Sequence, residues 1–149
     1  MALGFFTPVL ALEPTPQAQR AMDMSATLGQ VRAFYANATR SRFAPIHGLQ
    51  VEYNAPNGES YLWCSGNTWC SGNTMILTGR WRATEILALD GVHRATRICY
   101  LYAPNTADPA DGSRGGAWEC IPAWLGLMKT KERVSGDIVG LSRSAQPPV

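Results

Sequence analysis

The chain has 149 residues, 46% of them hydrophobic and 16% charged, which fits one globular domain with a sizeable core and excludes a wholly disordered chain. Net charge is +2, and the 13 basic residues are scattered rather than gathered in one tract. The footprint of a nucleic-acid binder that neutralises many phosphates is therefore missing, and nucleic acid is not an expected partner.

In chain order, residues 1–11 come first. Ala2 to Ala11, ALGFFTPVLA, is uncharged and mostly apolar, and Val9-Leu10-Ala11 puts small residues where signal peptidase reads them. This is the pattern of the back half of a secretory signal peptide, without the basic residue that normally precedes it. The run is too short for a membrane span, which needs about 20 apolar residues. The expectation is a mature protein in the periplasm or outside the cell, without a membrane-spanning segment. Residues 12–23, with Pro14 and Pro16, read as an exposed linker.

The domain proper is expected over residues 24–141. An amphipathic helix is predicted from about Ser25 to Asn37, with Ser25 as N-cap and Leu28, Val31, Phe34 and Tyr35 on its apolar face. Arg40 and Arg42 sit two apart, as do Arg80 and Arg82, and each pair reads as solvated charge on one face of a strand. Short strands follow: Leu49 to Tyr53, then Ser60 to Cys64 after an Asn57-Gly58 turn, then Met75 to Ala83. Gly79 marks a bulge or a close approach within the third of these. Glu85 to Leu89, Thr96 to Tyr102, Ala117 to Ile121 and Asp137 to Leu141 complete the set, with a Pro- and Gly-rich loop over residues 103–116. Residues 142–149 read as a loose tail. The fold class is mainly β (α+β): an N-terminal helix packed on a curved antiparallel sheet, or on a small β-barrel, of six to seven strands.

The hexamer WCSGNT occurs twice in succession, at Trp63 to Thr68 and Trp69 to Thr74. With one copy, Tyr61 to Cys64 and Met75 to Gly79 make a hairpin turned at Ser-Gly-Asn-Thr; the second copy lengthens the loop at small entropic cost. Residues Ser65, Gly66, Asn67, Thr68, Trp69, Ser71, Gly72 and Asn73 form a candidate contact loop. The four cysteines, Cys64, Cys70, Cys99 and Cys120, allow three connectivities. If the hexamer was copied once, Cys99 and Cys120 are the older pair and Cys64 and Cys70 a local one, although sequence alone does not choose. The spacings suit neither a structural zinc site nor a Cys-x-x-Cys redox pair.

No catalytic constellation is visible. His47 and His93 are flanked by loop residues, the serines of Ser-Gly-Asn-Thr lie in no nucleophile elbow, and Glu52, Glu59, Glu85 and Glu119 are expected to face solvent. The residues 108–113, DPADGS, lack calcium-loop spacing, so no metal or cofactor is expected.

The order of motifs, MSATLGQVRAFYANAT, VEYNAPNGESYLW, LTGRWRA, RICYLY, GGAWECIP and ERVSGDIVGL, resembles a group of small secreted bacterial proteins of unknown function. The resemblance covers residues 24–141 and implies export, a Cys99–Cys120 disulfide and a small antiparallel β domain. It carries no activity. The chain departs from the group's pattern at Asn57, where the turn usually has Asp, and in the duplicated hexamer. The resulting expectation is an exported non-enzymatic module, binding or accessory, with a protein partner in an envelope or extracellular assembly. Alternatives are a lysozyme-inhibitor-like protein and a small carrier of hydrophobic ligands.

Overall fold

The computed structural model describes residues 26–44, 48–65, 76–104, 106 and 115–144. The proposed signal remnant and linker, His47 and most of the duplicated hexamer lie outside them.

Helix α1 runs over Leu28–Tyr35, shorter than its periodicity indicated. Its start is fixed by Thr27, whose hydroxyl accepts from the Gln30 N–H at 3.1 Å while the Gln30 side chain accepts from the Thr27 N–H at 3.0 Å. This reciprocal cap satisfies two otherwise orphaned donors, so Thr27 takes the role expected of Ser25. Two residues past its end, Asn37 adopts φ 51°, a left-handed conformation that Asn tolerates, and the chain turns into strand β1.

Seven antiparallel strands form one sheet: β1 (Ala38–Ala44), β2 (Gly48–Asn54), β3 (Glu59–Cys64), β4 (Leu77–Leu87), β5 (Arg94–Tyr102), β6 (Glu119–Pro122) and β7 (Glu132–Ser135), in the order β6-β5-β4-β3-β2-β1-β7. The sheet is not closed into a barrel: β6 and β7 are its two edges. The first six strands meander, each pairing with its neighbour in sequence. After β6, helix α2 (Ala123–Lys129) leads to β7, which pairs with β1 on the far edge. A last short helix, α3, spans Leu141–Ser144.

Several boundaries differ from the sequence reading. The two strands expected over Met75 to Ala83 and Glu85 to Leu89 are replaced by one eleven-residue strand, β4, Leu77–Leu87, because β5 offers an uninterrupted ladder from Gly79↔Tyr102 to Leu87↔Arg94; Met75 lies outside the described residues. Gly79 sits in that ladder without a bulge. A Cβ there would lie 2.7 Å from the Leu101 carbonyl oxygen and 2.8 Å from the Tyr102 ring, so the glycine marks close approach. β1, α2 and β7 are additional elements. Asp137 to Leu141 is no strand: the Asp137 carboxylate accepts from the Leu141 N–H (2.7 Å) and from the N–H and hydroxyl of Ser142 (2.9 and 2.6 Å). Those bonds start α3, which extends into the stretch read as a loose tail.

The core lies between the sheet's inner face and helices α1 and α2. Val31 and Tyr35 of α1 pack on Trp81, Ala83, Ile98 and Ala123, and the Tyr35 and Trp81 rings stack at 6.4 Å. On the outer face, Leu141 of α3 packs on Tyr53 and Ala55. Trp81 is buried, whereas Trp63, Trp118 and Trp124 are half-buried at the rim.

Candidate functional site

Strand β2 alternates Leu49, Val51, Tyr53 with Gln50, Glu52, Asn54, and on a half-buried sheet the apolar set should face inward. The reverse holds. Gln50, Glu52 and Asn54 are buried at 3%, 6% and 0% exposure, while Leu49 is 40% exposed. Arg40, expected in solvent, is also buried, directly across from Glu52.

These residues form one network. Arg40 Nη2 donates to Glu52 Oε1 at 2.5 Å, to the Tyr100 hydroxyl at 2.9 Å and to Asn54 Oδ1 at 3.3 Å. Its Nη1 donates to Thr130 Oγ1 at 3.1 Å, and the guanidinium lies 4.1 Å over the Tyr35 ring. The Tyr100 hydroxyl accepts from Asn54 Nδ2 at 3.4 Å and donates to Glu52 Oε1. Burial is the main cause pushing the Tyr100 phenol well above its ordinary value; the Arg40 charge opposes it and the Glu52 carboxylate adds to it. Tyr100 therefore stays a neutral donor. With both α1 and α2 laid over it, the network is a closed polar strut between helices and sheet, and it fixes how β1, β2 and β5 sit under them.

The open site is on the outer face. A cleft of about 550 Å³ is lined by Asn57, Glu59, Thr78, Arg80, Leu101 and Pro104, among others, a size within the usual range for ligand sites. The β3–β4 register places Glu59 opposite Arg80, and the β4–β5 register places Arg80 opposite Leu101. Glu59 is held from below: Oε2 accepts from the Tyr61 hydroxyl at 2.7 Å and from Asn57 Nδ2 at 3.3 Å. The Tyr61 bond, followed by the Asn57 bond, lowers the Glu59 carboxyl below its usual value. The same Glu59 bond, with burial adding, pushes Tyr61 up to about 12. A second hollow, of about 190 Å³, lies over Leu49, Val51, Val134, Ile138 and Val139. Its lining is mainly apolar, with Arg40 and Glu132 also bordering it.

No family model, curated protein or solved structure matches this chain.

Of the expected cysteine pairs, Cys99 with Cys120 is formed. Cys99 and Cys120 face each other across β5 and β6 and form a disulfide, which staples the base of the 103–116 loop beside the cleft. Cys64 is also disulfide-bonded and accepts from Gln50 Nε2 at 3.7 Å. Its expected partner Cys70 lies outside the described residues, as do Gly66, Asn67, Thr68, Trp69, Ser71, Gly72 and Asn73 of the contact loop. Ser65 is exposed at the end of β3, where its hydroxyl accepts from the Leu49 N–H at 2.9 Å. The β3–β4 hairpin expected around the hexamer is present, with Leu62 opposite Leu77.

His93 is exposed in the β4–β5 turn, with Nδ1 2.5 Å from the Asp90 carboxylate. The Val92 and His93 N–H groups, with that imidazole, hold the Asp90 carboxyl at about 2, which describes a well-formed turn. Of the four glutamates expected in solvent, Glu59, Glu85 and Glu119 are exposed and Glu52 is not. Arg80 and Arg82 are exposed on one face as read, and Arg82 lies 4.1 Å over the Trp118 ring. Sequence spacing could not have found the cleft, because Glu59 and Arg80 meet only through strand register.

Proposed function

We propose that this protein is an exported, non-enzymatic binding module, an accessory subunit of an envelope or extracellular assembly, and that the outer-face cleft is its recognition site. The observation that carries the reading is the cleft itself: an open hollow of ligand size, with Glu59 and Arg80 presented from paired strands, beside a loop base stapled by Cys99–Cys120. Binding groups set on rigid strands lose little freedom when a partner arrives. The carboxyl of Glu59 is lowered, not raised. A general acid or base working near neutral pH needs the opposite shift, so Glu59 suits a fixed hydrogen-bond acceptor. The disulfide is compatible with an oxidising compartment and so with export.

The test is native mass spectrometry of the protein isolated from the exported fraction of its own cells, compared with Thr78→Trp, which fills the cleft from an exposed strand position. A co-purifying species present on the wild type and lost from the variant is expected. Turnover of a substrate by the pure protein, abolished by substitution at Glu59 or Arg80, would overturn the reading.

A further inference from the structure

Glu59 and Arg80 are cross-strand partners of opposite charge, the arrangement in which a surface ion pair normally forms. Among the described residues they make none. The Arg80 charge contributes to lowering the Glu59 carboxyl, but less than the bonds from Tyr61 and Asn57, and those two donors both take Oε2. The carboxylate is thereby held on its own strand and turn, since the Asn57 side chain also accepts from the Glu59 backbone N–H at 3.0 Å. Two consequences follow. Glu59 Oε1 keeps its acceptor capacity, and the Arg80 guanidinium, with its fork of donors, is left uncommitted among the described residues of the same cleft. Stability does not explain this, because an exposed pair of this kind contributes little even when it forms. A ligand bearing both charges explains it: an ammonium reaches Glu59 Oε1 and a carboxylate takes the Arg80 fork bidentately. Between and beside them, Leu101 and Pro104 offer apolar surface and Thr78 a hydroxyl. The cleft exceeds what one amino acid fills.

On the strength of the binding reading above, we propose that the cleft binds short peptides with free ends, the ammonium on Glu59 and the carboxylate on Arg80.

The experiment is amide chemical-shift titration of the full chain with alanyl-alanine, its N-acetyl form and its C-terminal amide, repeated on Glu59→Gln and Arg80→Gln. Both positions are exposed, so the variants keep the fold, and unchanged amide shifts away from the cleft verify it. The expected result is saturable shifts at residues 57–59, 78–80 and 101–103 with alanyl-alanine. Blocking either end, or making either substitution, weakens binding by roughly tenfold or more, the scale of one charge-assisted hydrogen-bonded contact. No shifts with alanyl-alanine, or equal affinity for the blocked forms, would overturn the peptide-end inference. In both cases the binding reading stands or falls separately, on whether Thr78→Trp loses the co-purifying species.

Discussion

Removing the Glu52 carboxylate is expected to be among the most damaging single changes this fold can suffer. Glu52 Oε1 accepts from Arg40 Nη2 and from the Tyr100 hydroxyl, and Arg40 cannot shed its charge. In Glu52→Ala the guanidinium stays buried with the neutral oxygens of Tyr100, Asn54 and Thr130 and the face of Tyr35. These dipoles soften the loss, which places the cost near the lower end of the 3–5 kcal/mol seen for breaking buried pairs, at about 3 kcal/mol. The Tyr100 hydroxyl, deprived of its acceptor, adds about 1 kcal/mol. Against a total stability of about 5–15 kcal/mol the variant keeps a marginal fold. Removing both charges together, in Arg40→Met with Glu52→Leu, leaves no stranded ion and is expected to cost less than Glu52→Ala alone. Urea unfolding followed through tryptophan fluorescence measures both, with equal slopes against denaturant confirming a shared unfolding reaction. A Glu52→Ala cost below about 1 kcal/mol, or a double variant as unstable as the sum of the single ones, would refute the strut.

Other expectations are simpler. Replacing Cys99 and Cys120 by Ala opens a loop with a sequence separation of 21 and is expected to cost about 3 kcal/mol, read from the shift of the urea midpoint; an unchanged midpoint contradicts it. Gly79→Ala pushes a Cβ against the Leu101 carbonyl and the Tyr102 ring, which calorimetry should register as a loss of about 1–3 kcal/mol. Asp137 is part-buried, which works to raise its carboxyl, but bonds from Ser142 and Leu141 outweigh that and hold it below its ordinary value. Its support for α3 is therefore complete above the unfolded value of about 3.9 and is lost as pH falls through the lower folded value. Protection of the Leu141 and Ser142 amides, taken as exchange relative to the intrinsic rate at each pH, should fall on acidification below about pH 4, and Asp137→Asn should remove most of that dependence.

The strands were readable wherever a β-branched or aromatic run met a turn, as at β2, β3 and β5. Their facing was less readable. Leu49, Val51 and Tyr53 look like the inward set of β2, yet inwardness is decided by what lies opposite, and Arg40 across the ladder makes Glu52 the interior member. β1 itself, ATRSRFA, carries two arginines and reads as solvated; only the strut makes Arg40 a core residue. Helix α2 was hidden by Gly126, a poor helix former. A Cβ at that position would overlap the Tyr35 hydroxyl, so close packing on α1 outweighs propensity there. The Cys99–Cys120 pairing was favoured by the copied hexamer and implied by the resemblance, whereas the cleft depends on a register that no local spacing encodes.

The return of β7 to the edge of β1 bears on how the chain is made. Strands β1 to β6 can zip up in the order of their synthesis, each finding the partner that emerged just before it. β1 has no such luck on its other side, since Thr39 to Ser41 wait for Glu132 to Val134, which arrive only after the rest of the sheet. Through that interval its backbone donors and acceptors offer a template to any extended neighbour, including another nascent copy. The last strand is thus a latch closed late, and until it closes the β1 edge stays open to mispairing.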